Sequence, residues 1–321
     1  MQTKRLGRTG PEIPPIVLGG NVYGWTLSEE DSLNQLDRAF EAGLTFIDTA
    51  DVYSVWVPGH IGGESETVLG KWFKRSGRRS EVILSTKVGI DMGGGKKGLG
   101  AKYIRQAVED SLRRLQTDYI DLYHSHRDDL ATPIEETLGA FDELVKAGKV
   151  RYIGASNYSG ARLAESMETS SRNGLAAYVS LQPEYNMMER AEFESHLLPV
   201  VEKYSLGVIS YFSLAAGFLT GKYRQGGDTT GSARGPAVQK YLNERGFAVV
   251  DALDEVAKAH GATPARVALA WLMQKPGVTA PIASATNDRQ LQDLIAATEL
   301  SLDPAAVRRL DEASAPLSQP A

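Results

Sequence analysis

Apolar positions along the chain fall into short, β-branched runs, each followed by a longer stretch in which they recur every three to four residues. The runs predict strands at 16–19, 45–49, 82–86, 119–123, 150–154, 178–181, 207–211 and 279–283. The intervening periodicity predicts helices at 32–42, 65–74, 101–115, 133–147, 161–167, 192–204 and 264–274, with 288–297 after the last strand. Strict alternation of this kind argues for a parallel α/β fold. Eight such units within roughly 250 residues match a closed (β/α)8 TIM barrel better than a doubly wound sheet, which has fewer strands at this length. The opening segment KRLGRTGPEIPP has the short pieces of an N-terminal hairpin closing the barrel bottom. Surplus length at 53–63, 89–100 and 215–258 predicts extended loops at the C-terminal face. With no internal repeat and no composition break, 1–321 reads as one barrel domain.

Composition narrows the chemistry. Thirty-five basic against 40 acidic residues, a net charge of -5, leave no basic footprint for nucleic acid. The start MQTKRLGRTGPEIPP lacks the apolar stretch of a secretory signal, and no run of about 18 apolar residues is present to span a bilayer. A cytoplasmic, membrane-free protein is expected. Cysteine is absent, which removes disulfides, thiolate metal sites and cysteine nucleophiles together. Chemistry falls to Tyr, Lys, His and carboxylates.

Gly93, Gly95 and Gly98 match GxGxxG, but a dinucleotide fingerprint needs its first glycine in the turn leaving a strand, and here 88–92 intervene. A flexible loop is the expectation, and no P-loop motif occurs. His124 and His126, alternate residues on one strand, admit a metal-dependent barrel hydrolase, though His60 is expected in a loop and His196 and His260 in helices. The stronger signal is positional. Polar residues gather at the ends of the predicted strands: Gly20 and Asn21, Asp48 and Tyr53, Lys87, His126, Ser156 and Asn157, Gln182, Tyr211 and Ser213, Ser284 and Thr286. Singly each is explained as a cap, a solvated end or a core aromatic. In a barrel they share one rim, where active sites are built.

The motifs FIDTADVY (46–53), STK (85–87), DLYHSH (121–126), GASN (154–157) and YFSLAAGFLTGKY (211–223) resemble the aldo-keto reductase superfamily, in order and spacing, over nearly the whole chain. Within it the chain is similar to bacterial and fungal members with a long WVPGxxGGESE loop, here 56–66. The resemblance implies a catalytic tetrad of Asp48, Tyr53, Lys87 and His126, with His124 not the matching position. It implies nicotinamide contacts at Gly20, Asn21, Ser156, Asn157 and Gln182, ring stacking on Tyr211, and a pyrophosphate cover from Ser213, Leu214, Gly217, Leu219 and Lys222. A monomer is the family default, and a small carbonyl compound, sugar-like or not, is the partner implied. A coenzyme-binding regulatory protein, as potassium-channel β-subunits of the family are, is the alternative.

Reducing a carbonyl by hydride requires a proton in the same step. Tyr53 is expected to give it, with the ammonium of Lys87 lowering the phenol's pKa, Asp48 holding Lys87 and His126 donating to the substrate oxygen. At the adenosine end, Ser284, Thr286, Asn287 and Gln290 offer hydrogen bonds, while Arg289 is the cation of SATNDRQLQDL and Leu294 stands where the family has asparagine. Arg289 favours NADP(H), Asp288 opposes it, and NADP(H) is expected ahead of NAD(H). Tyr23, Trp25, Trp56 and Arg127, on loops after early strands, are the candidate substrate contacts.

Overall fold

The computed structural model describes residues 1–224 and 234–316. Two short antiparallel strands open it, β1 (Lys4–Arg5) and β2 (Glu12–Ile13), with Lys4 opposite Ile13 and Arg5 opposite Glu12. Eight parallel strands follow: β3 (Val17–Gly19), β4 (Phe46–Asp48), β5 (Ile83–Val88), β6 (Ile120–Ser125), β7 (Val150–Ser156), β8 (Tyr178–Gln182), β9 (Gly207–Ser210) and β10 (Val278–Ala283). Each pairs with its sequence neighbour, and β10 pairs with β3, so the barrel is closed. All eight coincide with the apolar runs, although β5, β6 and β7 run two residues further and carry Lys87, His124 and Ser156 into the sheet.

Helices cover the outside because each has one apolar stripe to bury. In Ala101–Leu115 the stripe is Ile104, Ala107, Val108, Ser111, Leu112 and Leu115, all buried. Ser28, Ser159, Thr263 and Asn287 side chains accept backbone N–H groups at the starts of Glu29–Glu41, Gly160–Asn173, Pro264–Met273 and Asp288–Ala297. The hairpin plugs the bottom: Leu6 and Ile13 are fully buried with Val17, Phe46, Leu122, Val179, Ile209 and Ala280. Gly7, at φ +64°, makes this approach possible, since a Cβ there would lie 2.5 Å from the Val179 carbonyl oxygen and 2.7 Å from the Gly207 nitrogen.

The segment 215–258 departs from expectation. Part of it, 225–233, lies outside the described residues, as does 317–321 of the one-domain reading. The rest is not a plain loop: Glu244–Ala259 is a 16-residue helix capped by Asn243. Its Val249, Val250, Leu253 and Val256 are buried, and it packs on Pro264–Met273 and on a final helix, Pro304–Ala313, that the strand-helix alternation also missed. His260 follows this helix instead of lying within one, and His196 sits in a π-turn, Phe193–Leu197, inside the expected helix. No helix among the described residues is long and apolar enough to cross a membrane.

Candidate active site

Three adjacent strands carry the core of the site. Asp48 ends β4, Lys87 lies near the end of β5, and His126 directly follows β6, where its N–H still donates to the Val88 carbonyl at 2.8 Å. Tyr53 is five residues beyond Asp48, in a turn where its N–H donates to the Ala50 carbonyl and its own carbonyl accepts from Gly63 N. The loop that follows is pinned by Glu64, whose carboxylate accepts from Ser54 N at 3.2 Å and Ile61 N at 2.9 Å; these backbone bonds, against the penalty of burial, lower its pKa.

Lys87 is fully buried, and its three N–H groups are all used: Asp48 Oδ2 at 2.6 Å, the Thr49 carbonyl at 2.7 Å and Tyr53 Oη at 3.2 Å. Burial opposes the ammonium, but Asp48 and Tyr53 outweigh it and raise its pKa. Asp48 has two further donors, Ser85 Oγ at 2.9 Å and Gln182 Nε2 at 3.0 Å, the latter reaching across from β8. Beneath them His124 joins Ser85 Oγ (3.1 Å) and Ser180 Oγ (3.2 Å), so a polar belt ties β4, β5, β6 and β8 under the rim. With both ring nitrogens engaged below the rim, His124 is not presented to the cavity, and no cluster of three or more His, Asp or Glu near enough to hold a metal occurs among the described residues.

The expected lowering of the Tyr53 pKa is corrected. Burial pushes the phenol up, Lys87 pulls it down, and the net direction is upward. His126 is held well below its ordinary value by burial, then by Lys87, His124 and Arg127, so its imidazole is neutral. Its Nδ1 is buried without a partner.

Above this set opens a cavity of about 1050 Å³. Asp48, Tyr53 and His126 line it, as do Gly20 and Asn21 from the end of β3. Asn21 Oδ1 accepts from Ser284 Oγ at 2.8 Å, linking β3 to β10. Ser156, Asn157, Gln182 and Tyr211 stand together on one wall: Tyr211 Oη donates to Asn157 Oδ1 at 2.7 Å, and Ser156 Oγ donates to the Gln182 carbonyl at 2.8 Å. Burial pushes the Tyr211 phenol up to about 12. Ser213, Leu214, Gly217 and Lys222 line the next stretch, and Thr286, Asn287, Arg289 and Gln290 line the far end with Ser284.

Three expected residues are elsewhere. Leu219 is fully buried off the cavity, because Ala216 (φ +56°) and Gly217 (φ +93°) turn the chain, and Thr220 lines the cavity instead. Tyr23 is a core residue: the turn Gly20–Val22 swings it inward, where its hydroxyl donates to Gln35 at 3.3 Å. Lys87 lies behind Asp48 and Tyr53 instead of on the cavity wall. Trp25, Trp56 and Arg127 do line the cavity. Sequence reasoning missed Phe212 and Arg234. Phe212 passes for a core aromatic in an apolar run, and its φ of +50° leaves no trace in the sequence. Arg234 borders the undescribed segment, with a position that no strand pattern fixes.

A closed eight-stranded parallel barrel with an N-terminal hairpin, carrying an Asp-Tyr-Lys-His cluster at the C-terminal mouth, is the architecture of one enzyme class, and the sequence agrees: the aldo/keto reductase family model matches residues 15–315, and the chain belongs to that family. Among its relatives, the uncharacterized oxidoreductase YrpG of Bacillus subtilis is 35% identical over 97% of this chain and 95% of that protein. A probable voltage-gated potassium channel subunit beta of Oryza sativa subsp. japonica is 33% identical over 94% and 92% of the two chains. The L-glyceraldehyde 3-phosphate reductase of Escherichia coli is 33% identical over 92% and 87%. Family membership makes the chain an oxidoreductase of the NAD(P)H-dependent carbonyl-reducing kind.

Proposed function

We propose that this protein reduces an aldehyde or ketone to an alcohol with NADP(H), using Tyr53 as proton donor. The observation that carries the reading is the bond from the buried Lys87 ammonium to Tyr53 Oη, at the wall of a cavity that also exposes His126. A nicotinamide coenzyme, when bound, supplies the hydride that goes to the carbonyl carbon. As the carbonyl π pair moves to oxygen, Tyr53 Oη hands that oxygen its proton, and the phenolate left behind is stabilised by Lys87 and regains a proton from water. The upward pKa of the free phenol suits this role, since the proton stays on Tyr53 until charge develops at the substrate. Neutral His126 donates a hydrogen bond to the same oxygen, and Asp48 keeps Lys87 charged and aimed.

The residues present fit the coenzyme. The cavity is at the upper end of ligand-pocket sizes, roomy enough for a dinucleotide beside a small substrate. Gly20 is a cradle: a Cβ there would lie 2.9 Å from the Asp48 carbonyl and narrow the approach. Ser156, Asn157 and Gln182 would hold a carboxamide, Tyr211 the ring face, Lys222 a pyrophosphate, and Arg289 with the helix start at Asn287 a 2'-phosphate. Asp288, which on sequence opposed that phosphate, is ion-paired with Arg38, whereas Arg289 is exposed with no ion pair among the described residues; both favour NADP(H) over NAD(H).

The relatives named as channel β-subunits favour a second reading, a coenzyme-binding regulatory protein. One assay separates them: NADPH oxidation with a panel of aldehydes, repeated with Tyr53→Phe. The substitution is expected to lower kcat by about 10²- to 10⁴-fold. Equal activity of the two proteins overturns the mechanism; coenzyme binding with no turnover by wild type supports the regulatory reading.

A further inference from the structure

Five large apolar side chains are exposed among the described residues, and four of them, Trp56, Ile61, Leu130 and Phe212, stand on segments that follow barrel strands. Trp56 and Phe212 also line the cavity that holds Tyr53 and His126. Both are about half exposed, at 48% and 46%, and both are held rather than loose. The Trp56 ring meets Trp25 edge-on at 5.4 Å and 83°, and Tyr53 at 5.9 Å and 66°. Phe212 meets Tyr211 at 5.2 Å and 69°, its carbonyl accepts from Asn186 Nδ2 at 3.0 Å and from Ala215 N at 2.6 Å, and its φ is +50°. A non-glycine residue keeps that backbone conformation only where its surroundings hold it, and such positions cluster at functional sites.

The two rings come from β4 and β9, which are separated in the barrel by β3 and β10, so they face the cavity from different sides of its mouth. Rigid rings with open surface lose little conformational freedom on binding and gain most from a flat partner that stacks or meets them edge to face. The cavity's hydroxyl and amide side chains near Tyr53, Ser156, Asn157 and Gln182, are the ones the reading above assigns to the coenzyme. Among the described residues its two acidic side chains are committed, Asp48 to Lys87, Ser85 and Gln182, and Asp293 to Arg266 and Thr263.

We propose that Trp56 and Phe212 are specificity-determining residues that select carbonyl compounds bearing a flat aromatic ring over small polyhydroxy carbonyls. This selection rests on the reductase reading above and deepens it.

The test compares kcat/KM for benzaldehyde, cyclohexanecarbaldehyde and glyceraldehyde in wild type, Trp56→Leu, Phe212→Leu and Phe212→Tyr. Wild type is expected to favour benzaldehyde over glyceraldehyde by at least about tenfold. Each leucine, which keeps apolar bulk and loses the ring, is expected to lower the benzaldehyde-to-cyclohexanecarbaldehyde ratio by about fivefold, the worth of one aromatic pair, and Phe212→Tyr to retain it. Because each ratio is taken within one protein, partial loss of folded enzyme cancels. Turnover of all three aldehydes with a ratio unmoved by both leucines, or with glyceraldehyde equal to benzaldehyde, overturns the selection and leaves the reductase reading standing. No coenzyme oxidation by wild type with any of the three defeats that reading, and the selection with it.

Discussion

Replacing Lys87 by methionine, Asp48 by asparagine, and then both together measures how tightly the site is bound into the barrel. The pair is 2.6 Å apart, with the lysine side chain fully buried and the aspartate 3% exposed. Removing either partner leaves a charge in the interior, which costs about 3–5 kcal/mol in such pairs. Asp48 left alone keeps Ser85 and Gln182 as donors, and Lys87 left alone keeps the Thr49 carbonyl, so each single variant should fall toward the lower end. The double variant has no buried charge at this position and should lie within about 2 kcal/mol of wild type. The sum of the two singles, about 6 kcal/mol, then exceeds the double by about 4 kcal/mol, more than the coupling of about 0.5–3 kcal/mol usual for neighbours. Urea unfolding of the four proteins gives the cycle directly. Single variants costing under about 1 kcal/mol, or a double variant as costly as the sum, would refute the idea that this ion pair is a closed unit.

Three further outcomes follow from other parts of the molecule. His124 and His126 are both held well below the ordinary histidine value, chiefly by burial, so below about pH 6.5 the unfolded chain takes up protons that the folded chain does not. Stability should therefore fall with acidification by up to about 1.4 kcal/mol per pH unit for each histidine, and His124→Gln should flatten the slope between pH 6 and 5 by about one proton; an unchanged slope would show that the belt is not neutral. Arg289→Ala should raise KM for NADPH about 10- to 100-fold, the worth of a charge-assisted hydrogen bond, and leave KM for NADH unchanged; equal effects on both would remove the 2'-phosphate role. Gly70 lies in Glu64–Ser76 where a Cβ would sit 2.1 Å from the Arg114 carbonyl oxygen, so Gly70→Ala should destabilise by about 1–3 kcal/mol in a thermal melt, and a neutral result would mean the two helices are not in close contact.

The barrel strands were legible because nearly all of their residues are buried, on both faces, so that each reads as a near-continuous apolar run; Arg151 is the exposed exception. Asp48, Lys87 and His126 were legible for a related reason: a polar residue closing such a run has few places to go except the rim. The helix Glu244–Ala259 carried its signal too, in Val249, Val250, Leu253 and Val256, but it follows no strand and so escaped a reading built on alternation. What sequence could not carry was direction. Tyr23 and Trp25 both follow β3, yet one three-residue turn sends the first into the core and leaves the second on the cavity wall. The direction of the Tyr53 pKa was likewise out of reach, because it depends on how much burial opposes Lys87, and burial is a property of the assembled barrel. The bond from Gln182 to Asp48 joins residues 134 positions apart and exists only because the barrel closes.

The three acceptors around Lys87 have one more effect. An amine within reach of an aldehyde condenses with it to an imine, and lysines at barrel mouths are well suited to that reaction when their pKa is depressed and a lone pair is free. Lys87 has the opposite setting: its nitrogen is fully buried, all three of its hydrogens are engaged, and its pKa is raised. An electrophilic substrate can press against Tyr53 without finding a nucleophile behind it. On the proposed reading, the arrangement that orients Tyr53 is thereby also what withholds the Lys87 amine from condensing with an aldehyde substrate.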